Sequence, residues 1–326
     1  MPIARRALLA APAALLPPGA DAQPAFPDHP ISMIVPFAPG GAPDIAARIV
    51  VPRMTALLGQ SVVVENRAGA GSVIGTRFVV QAKPDGYTAL MGSISFMLAP
   101  LTMDPHPFDP AATLRVVSLL ATVPYVLVVR ADAPPKTLAE FHRWVAAAPP
   151  GSLNYGSAGS GTPLHMGGAM YDLFMGTHMT HVAYRGTGPA LQDLLGGQVQ
   201  MVFADLPGAA AHIRAGTLRM LAVLVPERLA AFPEVPSMRE SDPRLADYDI
   251  YTWAMLTVPK ATPDGPVQRL HQAALGAVQD PGVVARLHEL GFDITATTPE
   301  AGDAILAREQ AKWDRLIKAA GIKIDL

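Results

Sequence analysis

The sequence predicts an α/β fold of two lobes with mainly parallel sheets, and three observations carry that reading. The chain has 326 residues, half of them hydrophobic and 16% charged, enough for about two domains each with its own core. Short apolar runs alternate with helix-period stretches from Ile31 onward, and a βαβαβ order demands parallel strands with helices on the sheet faces. The same plan of strand, glycine turn and helix start then returns in the second half of the chain.

The first unit sets the pattern. Ile31 to Phe37 is too apolar for a wet face and reads as a buried strand. Ala38-Pro39-Gly40-Gly41 breaks it. Pro43 suits a first helical turn because its missing N–H would have no partner there, and Asp44 lies where a carboxylate complements the positive helix end. From Ile45, apolar residues recur at helical spacing through Leu57. Such a turn aims unpaired backbone N–H groups into one small space, an anion cradle without a cationic side chain.

Ser61 to Glu65 reads as a second buried strand, residues 66–75 lead into a helix through Ala82, and Tyr87 to Met91 is a third strand ending at Gly92-Ser93. Arg115 to Ala121 and Tyr125 to Arg130 read as two strands split at Val123-Pro124. Leu138 to Ala147 is a helix. Asn154 to Ser157, a turn Ala158-Gly159-Ser160-Gly161, and a helix opened by Thr162 repeat the first unit. Met179 to Ala183, the turn Gly186 to Pro189 with its helix, Val199 to Ala204, Pro207 to Ile213 and Leu218 to Val225 continue it. Residues 226–249 are proline-rich and non-periodic, so they read as loop or short turns. Ile250 to Val258 is a strand. Three helices close the chain, Gly265 to Val278, Pro281 to Leu290 and Pro299 to Ala320. Having no strand set of their own, they should pack back on the first lobe. The chain then crosses between lobes near Thr122–Pro124 and near Tyr251–Leu256, and two crossings make a hinge.

Arg5 and Arg6, the apolar run Ala7 to Leu16 and the small-residue site Ala20-Asp21-Ala22 have the layout of a secretory signal peptide over residues 1–22. The paired arginines leave twin-arginine export open beside the general route. The expected organisation is lobe 1 over residues 23–122 plus 252–326 and lobe 2 over residues 123–251, in an exported, periplasmic monomer. A formal net charge of −2 argues against a nucleic-acid footprint, and the absence of cysteine removes disulfide, thiol and thiolate-metal chemistry.

Enzyme motifs fall short. Gly69, Gly71 and Gly75 are spaced one residue too long for a dinucleotide fingerprint, and no lysine follows any glycine turn as a phosphate-binding loop requires. The GSAGSG stretch at 156–161 misplaces its serines for a hydrolase elbow. His178 and His181, three apart on a strand, face opposite sides and cannot share a metal unaided. No catalytic residue, cofactor or metal is expected. Candidate binding groups lie at the strand carboxyl ends, where ligands sit on such sheets. His165 reaches a helix start or is satisfied by backbone, Arg185 pairs with a carboxylate or is merely solvated, and Asp205 is either a cleft acid or the cap of the helix beginning at Pro207. One helix dipole supplies about 0.3–1 kcal/mol, whereas a micromolar ligand needs roughly 8 kcal/mol. Two opposed turns closing on one guest fit that requirement better than one.

IVPFAPGGAPDIAAR, VVVENRAGAGSVIG, KPDGYTALMGS, LNYGSAGSGTPLH, HVAYRGTGPALQDLLGGQVQ, LPGAAAHIRAGTLRMLAV and KAAGIK, in order and over nearly all the chain, resemble the tripartite tricarboxylate transporter substrate-binding family, the Bug or TctC-like solute receptors. The resemblance implies a Venus flytrap of periplasmic-binding-protein type. Its lobes are joined by a two-segment hinge and close on a small organic acid, often through ordered waters, for delivery to a membrane permease. It places ligand contacts on Phe37, Ala38, Pro39, Gly40, Gly41, Ala42 and Asp44, and on Ser157, Ala158, Gly159, Ser160, Gly161 and Thr162. Ser93, His165, Tyr184, Arg185 and Gly186 stand in support, and Asp205 lies on the same wall. Two positions depart from the family pattern. Pro43 replaces a common Thr or Ala, and Phe203-Ala204-Asp205-Leu206-Pro207 carries its acid one place later than usual. A sensory receptor of the same shape, presenting its loaded form to a signalling partner, is the alternative function.

Overall fold

A computed structural model describes residues 26–103 and 105–320; the signal-peptide reading falls outside them. Strand β1 (Ile31–Val35) stops two residues before Phe37, and helix α1 (Ala42–Leu58) starts with Pro43 in its first turn and ends on Gly59 in the left-handed conformation, the usual glycine stop. Next come β2 (Val62–Asn66), α2 (Val73–Val80) and β3 (Thr88–Gly92). Strand β1 pairs parallel with both β2 and β3, as a βαβαβ unit requires.

Beyond Gly92 the sequence carried no assignment until Arg115. The chain forms α3 (Ser95–Leu101) and the short α4 (Pro110–Thr113). Every residue of α3 is buried, so it shows none of the one-sided periodicity by which a surface helix is recognised. The two strands expected on either side of Val123-Pro124 are one, β4 (Leu114–Arg130). Pro124 breaks nothing because it sits where β4 changes partners: residues 114–124 pair with β9, residues 125–129 with β7.

The remaining elements follow the sequence closely. They are α5 (Leu138–Ala147), β5 (Asn154–Ser157), α6 (Pro163–Met175), β6 (Thr180–Ala183), α7 (Thr187–Leu195), β7 (Met201–Asp205), α8 (Leu206–Arg214) and β8 (Leu218–Val223). Residues 226–249 hold two 3-10 turns, at Met238–Glu240 and Pro243–Leu245, and a single bridge from Ser237 to Val223. Then come β9 (Tyr251–Pro259), α9 (Asp264–Val278), α10 (Pro281–Glu289), a two-residue strand β10 (Asp293–Ile294) that the sequence did not signal, and α11 (Pro299–Ala320).

The strands form a single ten-stranded sheet in the order β2-β1-β3-β9-β4-β7-β5-β6, with β8 and β10 also on β4. Its outer strands are parallel, while β4 and β9 at the centre run antiparallel to each other and to their neighbours. Strand β2 is an edge strand rather than a buried one: Val63 is 49% exposed. The two halves of the sheet carry separate cores. In the first, α1 and α9 cover one face while α2, α3 and α11 cover the other. In the second, α5 and α6 cover one face, α7 and α8 the other. Two residues break the division and mark where the halves meet: Phe37 belongs to a core of the second half, Ala210 to one of the first.

Candidate ligand-binding cleft

The turn after β1 leans on the second lobe. Ala38 N–H donates to the Arg185 carbonyl at 2.9 Å. The approach is close because glycines face each other across the gap. A Cβ on Gly188 would stand 2.3 Å from the Pro39 carbonyl oxygen, and one on Gly186 3.2 Å from the Ala38 nitrogen. The same holds at the mouth, where a Cβ on Gly71 would lie 2.3 Å from the Ser160 carbonyl and one on Gly161 2.9 Å from Thr102 Oγ1. Gly41 differs. A Cβ there would meet Asp205 and Thr187 only at 3.6 Å, so space does not demand glycine at that position.

The first turn is held from below by its own helix. Asp44, 3% exposed, accepts from Gly40 N–H at 3.0 Å, from Arg48 at 3.0 Å and from the Asn66 amide at 2.9 Å. Its carboxylate therefore fixes the loop from behind. Asp205, on the other lobe, reaches the same helix end. It accepts from the Thr187 hydroxyl and, at 2.9 Å, from Gly208 N–H. Burial pushes its carboxyl above the usual range, against the opposing pull of Thr187 and of the Gly208, Asp205 and Ala42 amides. Capping of α8 and a place on the cleft wall are both true of Asp205.

The second turn has neutral props. Ser157 Oγ lies 2.6 Å from His181 Nε2 and accepts from Gly159 N–H at 3.1 Å. Thr162 caps α6, with its hydroxyl donating to the Gly159 carbonyl at 2.7 Å. Gly161 N–H points at His165 Nδ1 at 3.4 Å, and the His165 and His181 rings stack at 3.9 Å. Burial lowers the pKa of His165, and burial together with His165 brings His181 down to about 3. His165 thus serves the loop from within, and His178 takes no part in the pair. Among the described residues no group of three or more metal-ligating side chains occurs.

The cleft between these turns has two chambers, divided by Phe37 and Ala158, which line both. The inner one, ≈ 20 Å³, is walled by Gly41, Ala42, Pro43, Ser93, Ser95, Tyr125, Leu164, Thr187, Asp205 and Thr252. It is water-sized, with hydroxyls and one carboxyl group set among apolar walls. The outer one, ≈ 400 Å³, is bounded by Ala68 to Ser72, Ile74, Gly159, Ser160 and Ala183 to Arg185. Ala38, Pro39 and Gly40 instead line a separate groove with Gly188, Gly208 and His212. Ser157, Gly161, Thr162, His165 and Gly186 shape the turns without lining either chamber.

Sequence reasoning missed Ser95, Tyr125, Thr187 and Thr252 of the inner chamber and the Ala68–Ser72 wall of the outer one. The glycines of that wall drew attention only as a failed dinucleotide motif. Its non-glycine residues Ala70 and Ser72, at φ +46° and +96°, carry no signal readable in advance.

Residues 46–322 match the family described as "Tripartite tricarboxylate transporter family receptor". Protein BugT of Bordetella pertussis is 35% identical over 303 residues, covering 92% of this chain and 91% of that protein. The structure of the periplasmic binding protein BugD superposes with a TM-score of 0.87 at 32% identity, over 91% of this chain and 99% of that one. MatC of Rhodopseudomonas palustris, solved with bound malate, gives a TM-score of 0.84 at 30% identity, over 90% of this chain and all of that one. A two-lobed α/β fold and a cleft between glycine turns agree with these matches over nearly the whole length, and the chain belongs to the tripartite tricarboxylate transporter receptor family as a Bug, or TctC-like, receptor.

Proposed function

We propose that this chain is a periplasmic receptor that captures a small carboxylate-bearing solute between its lobes and hands it to a tripartite permease, without covalent chemistry. The observation that carries the reading is the pairing of glycines across the cleft, Gly188 under Pro39 and Gly71 under Ser160. Surfaces shaped to approach this closely are useful to a protein that shuts around a guest. MatC, a relative with malate in its structure, supports an organic acid as that guest. Of the described residues, those within 26–122 and 252–320 form lobe 1, those within 123–251 form lobe 2, and the crossings at Pro124 and Tyr251 act as the hinge. The ligand contacts come from the turns at 37–44 and 157–162 through Phe37, Gly41, Ala42, Ala158, Gly159 and Ser160, with Ser93, Tyr184, Arg185 and Asp205, to which the Ala68–Ser72 wall is added.

Native mass spectrometry of protein taken from its own periplasm, followed by calorimetry with a panel of mono- and dicarboxylates, tests this. One organic acid, retained at one equivalent and rebinding with micromolar or better affinity, is the expected outcome. Failure of every carboxylate, with a neutral or cationic solute retained instead, would reject it.

A further inference from the structure

Charge within the cleft narrows the class of acid. Among the described residues lining the two chambers there is one cationic side chain, Arg185, and one carboxyl group, Asp205. Arg185 is exposed at the outer chamber, and its guanidinium has neither an ion-pair nor a hydrogen-bond partner among the described residues. Ser72, on the wall of that chamber at the start of α2, is 1% exposed, and its hydroxyl has no hydrogen-bond partner. A buried hydroxyl is ordinarily paired; this one is covered and has no partner among the described residues, so a guest reaches it once the Ala68–Ser72 wall shifts on binding. Phe37, Ala68 and Ile74 supply apolar wall in the same chamber.

The inner chamber offers the opposite. At ≈ 20 Å³ it holds about one water, so a carboxylate would enter only by parting its walls. Asp205 faces it with no cation beside it among the lining residues, so a second negative charge there would meet a carboxyl group instead of a counter-ion.

Resting on the receptor reading above, we infer that the cleft selects a monocarboxylate with an apolar body, an aromatic or medium-chain acid. Arg185 and the Ser72 hydroxyl take its carboxylate in the outer chamber, and Asp205 disfavours a second one. Phe37, Ala68 and Ile74 cover the guest's hydrocarbon, and a water fills the space beyond it.

Calorimetry on the full mature chain at pH 7, with benzoate, hexanoate, succinate and malate as probes, tests the inference. Benzoate or hexanoate should bind about tenfold or more tighter than either dicarboxylate. Arg185→Gln should weaken the monocarboxylate about tenfold or more, Ser72→Ala about threefold, in line with charged and neutral hydrogen bonds respectively. Arg185→Lys, which keeps the charge but loses the planar fork, should fall between. Asp205→Asn should raise dicarboxylate affinity more than monocarboxylate affinity. Thermal melting of each variant separates lost binding from lost fold, and Arg185, being exposed, can be replaced with little effect on the fold. A tighter dicarboxylate, or a benzoate affinity indifferent to Arg185→Gln in a folded variant, overturns the inference and leaves the receptor reading standing. If none of the four acids binds, while the wider panel is equally silent, both fall.

Discussion

The turns at residues 37–44 and 157–162 are built on one plan and held in place by opposite chemistry. Each follows a strand, bends on glycine and opens a helix. The first is tied down by carboxylates, Asp44 from its own helix and Asp205 from the facing lobe. The second is propped by hydroxyls and two histidines kept neutral by burial. The lesson is that a helix N-terminus facing a cleft is not automatically vacant. At the first turn the protein's own acids already occupy much of the positive end, so an anionic guest finds more freedom beside the second turn and the neighbouring Ala68–Ser72 wall.

The contrast can be broken most severely at Asp44. Asp44→Ala strips partners from Gly40, Arg48 and Asn66 at once. It should cost roughly 2 kcal/mol of stability, because Gly40 N–H and the Asn66 amide lose their acceptor while the half-exposed Arg48 turns to water, and thermal unfolding measures it. A loss below about 1 kcal/mol would show that the first turn does not depend on its carboxylate.

Gly188→Ala comes next. Its Cβ would collide with the Pro39 carbonyl, so the lobes should stay apart, at a cost to closure of about 1–3 kcal/mol. Alanine also favours the helix in whose first turn Gly188 lies. The expected signature is therefore a larger radius of gyration by small-angle scattering with no drop in melting temperature. An unchanged scattering profile would mean that the backbone yields.

His181→Phe tests the neutral prop. It keeps a ring against His165 and Tyr155 but deletes the bond to Ser157, which should cost about 1 kcal/mol. Comparable loss in a Ser157→Ala variant, without additivity in the double variant, would assign that cost to the pair.

In the pH dependence the two turns should pull in opposite directions. His181 has its pKa depressed to about 3 in the folded chain, against about 6.5 unfolded. Between those values the unfolded chain binds the extra proton, so this residue lowers stability as pH falls from about 6.5 to 3. Asp205 has its pKa raised by burial. In its window the folded chain holds the extra proton, so the same acidification raises stability. Denaturant titrations from pH 7 to 4 should show the acid loss flattened in His181→Phe and steepened in Asp205→Asn. Parallel profiles for the two variants would contradict the assignment.

Much of the architecture was legible because it rests on local chemistry. Pro43 with Asp44, Thr162, and Asp205 with Pro207 each announce a helix start that the fold confirms. What escaped depends on distant partners. Pro124 looked like a strand end, since only the exchange of β9 for β7 makes its missing N–H harmless. Helix α3 is apolar all round, and Tyr125, Thr187 and Thr252 come to one chamber from separate strands and a helix. The strand, turn and helix start at α1 follow the sequence reading, but nothing local to residues 38–44 says that Asp205 would arrive there.

The unbroken run of β4 through both halves of the sheet has a consequence for how the chain assembles. Leu224 N–H donates to the Tyr125 carbonyl and Ile250 N–H to the Leu224 carbonyl, each at 2.8 Å, so the inner segment closes its own ladder before β9 is needed. The first half, by contrast, lacks the strand between β3 and β4 until β9 has emerged. Delivered from its N-terminus, the polypeptide can therefore complete the nested lobe while the enclosing one is still waiting for its keystone. A C-terminal truncation just before Tyr251 should leave an orderly inner lobe on a disordered host.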